Sequence, residues 1–139
     1  MSYELRAHTA DVAAAATGET LEAVFAALAD ALAAACRESV PDDGERFSLS
    51  VVAESREALL FDYLDELIYL RDVREELPVE NRVESIDPPD GDGEWRLEAS
   101  ARGVPLSTID AREVKAVTYA EMRLEETDDG WEGYVVFDV

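Results

Sequence analysis

The sequence predicts an α+β fold, a single domain over residues 1–139 in which two helices pack on one face of a mainly antiparallel or mixed β-sheet. Three observations predict it. Two stretches carry apolar residues at helical spacing, most others alternate apolar with polar residues, and the order runs strands, helix, strand, helix, four strands. A chain of 139 residues has no room for two independent cores. At 47% apolar it can fold, although 21 of its residues are alanine, so few large side chains carry the core.

Residues 3–8 and 11–17 read as a strand pair or an extended approach, with Ala13 to Ala16 compatible with either. Gly18 breaks the chain, and Thr20 is placed to cap a helix over 21–37 in which Leu21, Val24, Phe25, Leu28, Leu32 and Ala35 follow helical spacing. Val40-Pro41-Asp42-Asp43-Gly44 is a turn, after which Phe47, Leu49 and Val51 mark a half-buried strand over 45–54. Ser55 is the cap of a second helix over 56–75, striped by Leu59, Leu60, Tyr63, Leu64, Leu67 and Ile68 and ended by Pro78. Val79 to Ile86 and Glu94 to Ala101 form a hairpin around the turn at 87–93, and 113–125 and 131–138 form another around Asp128-Asp129-Gly130.

Charge narrows the function. The chain carries 33 acidic against 12 basic residues, a formal net charge of −21, and its basic residues are 11 arginines and the single Lys115. Alternating and helical apolar patterns argue against disorder at that charge. High acidity, many alanines and one lysine predict a halophilic protein whose surface repulsion is screened by concentrated salt. The same charge disfavours direct nucleic-acid binding, which draws most of its affinity from cations on phosphate. Cys36 is alone, so an internal disulfide or a cysteine-rich zinc site is excluded. With no long apolar run and no basic lead followed by an apolar segment, neither a membrane span nor a secretory signal is expected, and the reading is cytoplasmic.

Three clusters could carry chemistry. His8-Thr9-Ala10-Asp11-Val12 sets the only histidine three residues from an aspartate, readable as an ordinary turn or as part of a site. The end Tyr134-Val135-Val136-Phe137-Asp138-Val139 puts Asp138 on the face of Tyr134 and Val136, where the pattern asks for a core residue. It is either a frayed strand end or an oxygen ligand for a hard cation together with the final carboxylate of Val139. Glu113-Val114-Lys115-Ala116-Val117-Thr118-Tyr119 places Lys115 within an apolar strand, where it serves function or simply snorkels to the surface. Asp62, Asp65, Glu66 and Asp72 read as a solvated helix face, Trp95 and Trp131 as core or hairpin anchors.

Together these clusters resemble the archease family, small proteins that assist tRNA-splicing RNA ligases of the RtcB type. The matching segments also include Gly18-Glu19-Thr20-Leu21-Glu22, Leu64-Asp65-Glu66-Leu67-Ile68-Tyr69 and Val136-Phe137-Asp138-Val139, in the family's order. The resemblance implies a non-enzymatic activator that promotes guanylylation of the ligase's active-site histidine and repeated turnover, with broadened nucleotide use. It implies a divalent metal, calcium with magnesium or manganese as alternatives, held by Asp11, Asp138 and Val139, and activation that depends on Asp11 and Lys115, with His8 as an accessory. GTP and tRNA would be met only through the ligase. Two positions depart from the family pattern: Ala13 stands where glycine is common and Ala120 where histidine is frequent, which leaves His8 as the one imidazole. The rival readings are a metal-dependent hydrolase using Asp11 and Asp138 directly, and a chaperone or adaptor domain.

Overall fold

The computed structural model describes residues 2–8, 11–37, 39–91 and 93–139, with residues 2 and 6–8 described by backbone alone. The elements follow the expected order: β1 (Ser2–His8), β2 (Asp11–Gly18), α1 (Leu21–Cys36), β3 (Arg46–Ala53), α2 (Arg56–Arg74), β4 (Glu76–Asp87), β5 (Trp95–Pro105), a single 3-10 turn at Leu106–Thr108, β6 (Ala116–Thr127) and β7 (Gly130–Asp138). All described strand pairs are antiparallel.

The α+β class with two helices holds, and the sheet proves to be two: a four-stranded sheet ordered β1-β2-β7-β6 and a three-stranded one ordered β3-β5-β4. Each helix touches strands of both sheets. That placement explains the composition of α1, where Leu21, Val24, Phe25, Leu28 and Leu32 are buried together with Ala26, Ala27, Ala29, Ala31, Ala33 and Ala35. A helix covered around most of its circumference needs apolar residues beyond a single stripe. Alanine there lets the layers close up. The same demand settles Ala13 to Ala16, which form strand β2 despite alanine's weak strand preference because β1 and β7 pair with it on both sides and Ala14 and Ala16 pack in the helix-facing core.

Both caps act as their residue types dictate. The Thr20 hydroxyl accepts from the Ala23 N–H at 3.1 Å, and the Ser55 hydroxyl from the Ala58 N–H at 3.0 Å. The end of α2 differs from expectation: Glu75, in a left-handed conformation at φ 54°, stops the helix, and Pro78 lies inside β4 opposite Gly103. Proline is tolerated there because β4 is an edge strand of its sheet. β5 also runs on to Pro105, beyond the expected hairpin arm. β4 carries a bulge between Val79 and Arg82, with Glu80 at φ 46°, and α1 holds it. Asp30 accepts from the backbone N–H and the side-chain Nδ2 of Asn81 at 2.9 and 3.0 Å.

Candidate functional site

The four-stranded sheet gathers the sequence-predicted residues at one end. In β2 and β7, Asp11 and Asp138 stand directly opposite each other, and Ala116 of β6 faces Asp138 from the other side. Directly opposed residues share a face, with Cβ atoms roughly 4.5–5.5 Å apart, so the two carboxylates are neighbours although they are remote in sequence. His8 continues the row in β1 opposite Asp11, while its side chain, with Thr9 and Ala10, lies outside the described residues. Both aspartates are partly buried, as is Val139, which follows Asp138.

This row is on the face turned away from the helices, since Phe137 and Val117, the neighbours of Asp138 and Ala116, are in the helix-facing core. Asp138 therefore points away from the helix-facing core, while on the same outer face Val136 and its partner Ala13 are buried, so the apolar pattern of β7 reflects a strand covered on both faces up to its end. Two like charges directly opposed across a sheet repel each other, and among the described residues no cationic side chain is ion-paired with either. Two oxygen-only donors at a partly exposed sheet end are a donor set for a hard cation. Among the described residues, no group of three or more His, Cys, Asp or Glu side chains is arranged around a common centre. Two residues further along β6, opposite Val136, the Thr118 hydroxyl is buried with no hydrogen-bond partner among the described residues.

Lys115 differs from its expected place. It precedes β6 rather than lying within an apolar strand, and its side chain is exposed. Its backbone is nonetheless tied to the site, for the Lys115 N–H donates to the Asp138 carbonyl at 2.7 Å. The segment leading to it is held by both helix ends: the Arg112 N–H donates to the Cys36 carbonyl at 2.7 Å, and Arg71 Nη1 donates to the Val114 carbonyl at 2.8 Å. Arg71 is a residue that pattern reading passed over. It is only 7% exposed and also pairs with Asp72 at 3.0 Å. A signal existed in the sequence, because Arg71 continues the buried series Leu60, Leu64, Leu67 at helical spacing, where a charge calls for an explanation.

At the far end of the same outer face, a groove of about 380 Å³ is lined by Tyr3, Glu4, Thr17, Glu132 and Tyr134, with the Arg123 guanidinium 4.7 Å from the Tyr134 ring centre. It contains none of the predicted site residues.

Comparison with known proteins adds an independent line. A family model described as the archease protein family matches residues 3–139. A protein named archease from Methanosarcina mazei is 40% identical over 142 residues, covering 99% of this chain and 95% of that one. Its namesake from Pyrococcus furiosus is 33% identical over 142 residues, covering 99% and 98%. The solution structure of a Methanobacterium thermoautotrophicum protein superposes with a TM-score of 0.79 at 28% identity, covering 99% of this chain and 98% of that chain. A crystal structure of a Thermotoga maritima archease, described as a possible chaperone, gives a TM-score of 0.60 at 23% identity over 95% and 93% of the two chains, a likeness of fold.

Proposed function

Because the chain belongs to the archease family, we propose that it is a non-enzymatic activator of an RtcB-type tRNA-splicing RNA ligase, promoting guanylylation of the ligase's active-site histidine and its repeated turnover. The observation that supports this reading most is the convergence of Asp11, Asp138 and the backbone of Lys115 at one sheet end. Residues from the two ends of the chain and from the segment before β6 meet there, on a face that no helix covers.

Asp11 and Asp138, with Val139, would hold a divalent cation, calcium by family resemblance and magnesium or manganese by the same oxygen chemistry. Bound there, the cation would neutralise the facing carboxylates and present a Lewis acid to the partner. The chain's own residues then divide the work. Asp11 and Asp138 supply negative oxygens from adjacent strands, and the exposed ammonium of Lys115 offers a mobile point charge for a phosphate or carboxylate of the partner. With a net charge of −21, GTP and tRNA would be engaged by the ligase rather than by this surface.

The test is guanylylation of the cognate ligase in molar potassium chloride, with and without this protein and with and without chelator. Lys115→Ala is expected to lower the stimulation at least about tenfold with an unchanged melting temperature. Asp11→Asn is expected to abolish the chelator-sensitive part. Full stimulation by both variants would overturn the reading. A chaperone is the second reading, favoured by the description of the Thermotoga relative as a possible chaperone. Stimulation that tolerates Asp11→Asn and is indifferent to the ligase supplied would select it, and phosphoester turnover by the isolated protein would select the hydrolase.

A further inference from the structure

A second surface lies along the outer face of α2. Tyr119 falls within an irregular stretch of β6, where Thr118 pairs with Val136 and Arg123 with Tyr134, so four residues on β6 stand against one on β7. Glu121 in that stretch takes φ 63°, the left-handed region. The irregularity turns Tyr119 outward, 54% exposed, onto Phe61 of α2, with ring centres 4.2 Å apart and planes inclined by 5°. Burial, and then the negative charges of Asp62, Glu54 and Glu57, hold its phenol above the ordinary tyrosine range. Further along α2, Tyr69 and Val73 are 58% and 60% exposed, and Asp62, Asp65 and Asp72 are exposed beside them.

Helical spacing puts Phe61, Asp65, Tyr69 and Val73 in one row. Three of the exposed large hydrophobic residues, Tyr69, Val73 and Tyr119, thus fall on a single acidic strip. Elsewhere the chain covers aromatic rings with its own arginines: Arg56 lies over Trp131 at 4.9 Å, Arg74 over Phe47 at 4.1 Å and Arg123 over Tyr134 at 4.7 Å. Tyr119 is stacked on one face by Phe61 and, among the described residues, by no guanidinium on the other.

We propose that this strip docks a basic segment of a partner protein, anchored by an arginine whose guanidinium stacks on the outer face of Tyr119 between the carboxylates of Glu54, Glu57 and Asp62. Arginine fits better than lysine because a planar, weakly hydrated guanidinium can stack on the ring and still donate to carboxylates at its edge. Tyr69 and Val73 take apolar residues of the same segment. A second copy of this chain is disfavoured as occupant, because strip and surface carry the same sign.

The probe is a short acetylated and amidated peptide alternating arginine with leucine, titrated into isotope-labelled protein, alongside its lysine counterpart. The arginine peptide is expected to move the amide resonances of Phe61, Asp62, Asp65, Tyr69 and Tyr119. Tyr119→Ala should weaken it roughly three- to tenfold, the lysine peptide should bind more weakly than the arginine one, and Tyr3→Ala, in the strand at the opposite edge of the same sheet, should change nothing. Equal binding to wild type and Tyr119→Ala, shifts spread over the whole acidic surface, or a Tyr119-dependent dimer would each overturn the proposal. Asp62→Asn with Asp65→Asn gives a second, independent variant on an exposed face. No ligase is present and Lys115 is not read, so the outcome is independent of the activator reading.

Discussion

Arg71 shows how one side chain joins the core to the candidate site. Its guanidinium is buried yet bonded to the carbonyl of Val114, the residue before Lys115, whose own N–H is held by Asp138. Arg71→Met keeps the packing volume and strands that carbonyl, so a loss of about 1–3 kcal/mol is expected in urea denaturation. Faster hydrogen exchange at the Lys115 amide, with amides of the β1–β2 pair unchanged, would separate this local release from global destabilisation. Asp30 gives a pH signature. Burial holds its carboxyl above the ordinary value, opposed by its bonds from Asn81. The folded form therefore keeps the proton longer than the unfolded chain does, and this group's contribution to stability falls as pH rises through the raised value. Asp30→Asn retains an acceptor for Asn81 and removes that fall, so its stability relative to wild type should grow from about pH 4 upward; a constant difference across that range would count against it. Asp11 could be singled out from sequence because it lies three residues from the only histidine, and Asp138 and Lys115 because each breaks an apolar pattern. Arg71 breaks one too, but its partner is a carbonyl that only the tertiary arrangement brings near.

Elements were legible where local chemistry decides. Thr20 and Ser55 cap the helices they were expected to cap, and the hairpin at Asp128-Asp129-Gly130 closes as the turn residues suggest. Pro78 misled, because proline ends a helix and equally suits an edge strand, and only the sheet order tells the two apart. The actual stop, Glu75 at φ 54°, is invisible in a sequence that offers no glycine there. It makes a prediction: Glu75→Gly should raise stability by about 0.5–1 kcal/mol, read as a higher urea midpoint at unchanged slope. A lower midpoint would mean that the Glu75 side chain contributes more than its backbone costs.

At the scale of the whole molecule, the order of elements was readable but their partition into two sheets was not. Alternation reports which face of a strand is buried and carries no label for the layer it faces. The net charge of −21 has a whole-molecule consequence too. Raising salt from 0.1 M to 1 M shortens the Debye length from about 10 Å to about 3 Å and removes most of the repulsion between surface carboxylates. The melting temperature should climb steadily with potassium chloride into the molar range, and equal melting in dilute and molar salt would refute the halophilic reading. One further consequence lies in the sheet order itself. β7, the last strand in sequence, is an inner strand, flanked by β2 from the opposite end of the chain and by β6. β1 and β2 can pair as neighbours in sequence, but the other edge of β2 is filled by a strand remote in sequence, so the four-stranded layer and the aspartate pair at its end close through one long-range contact.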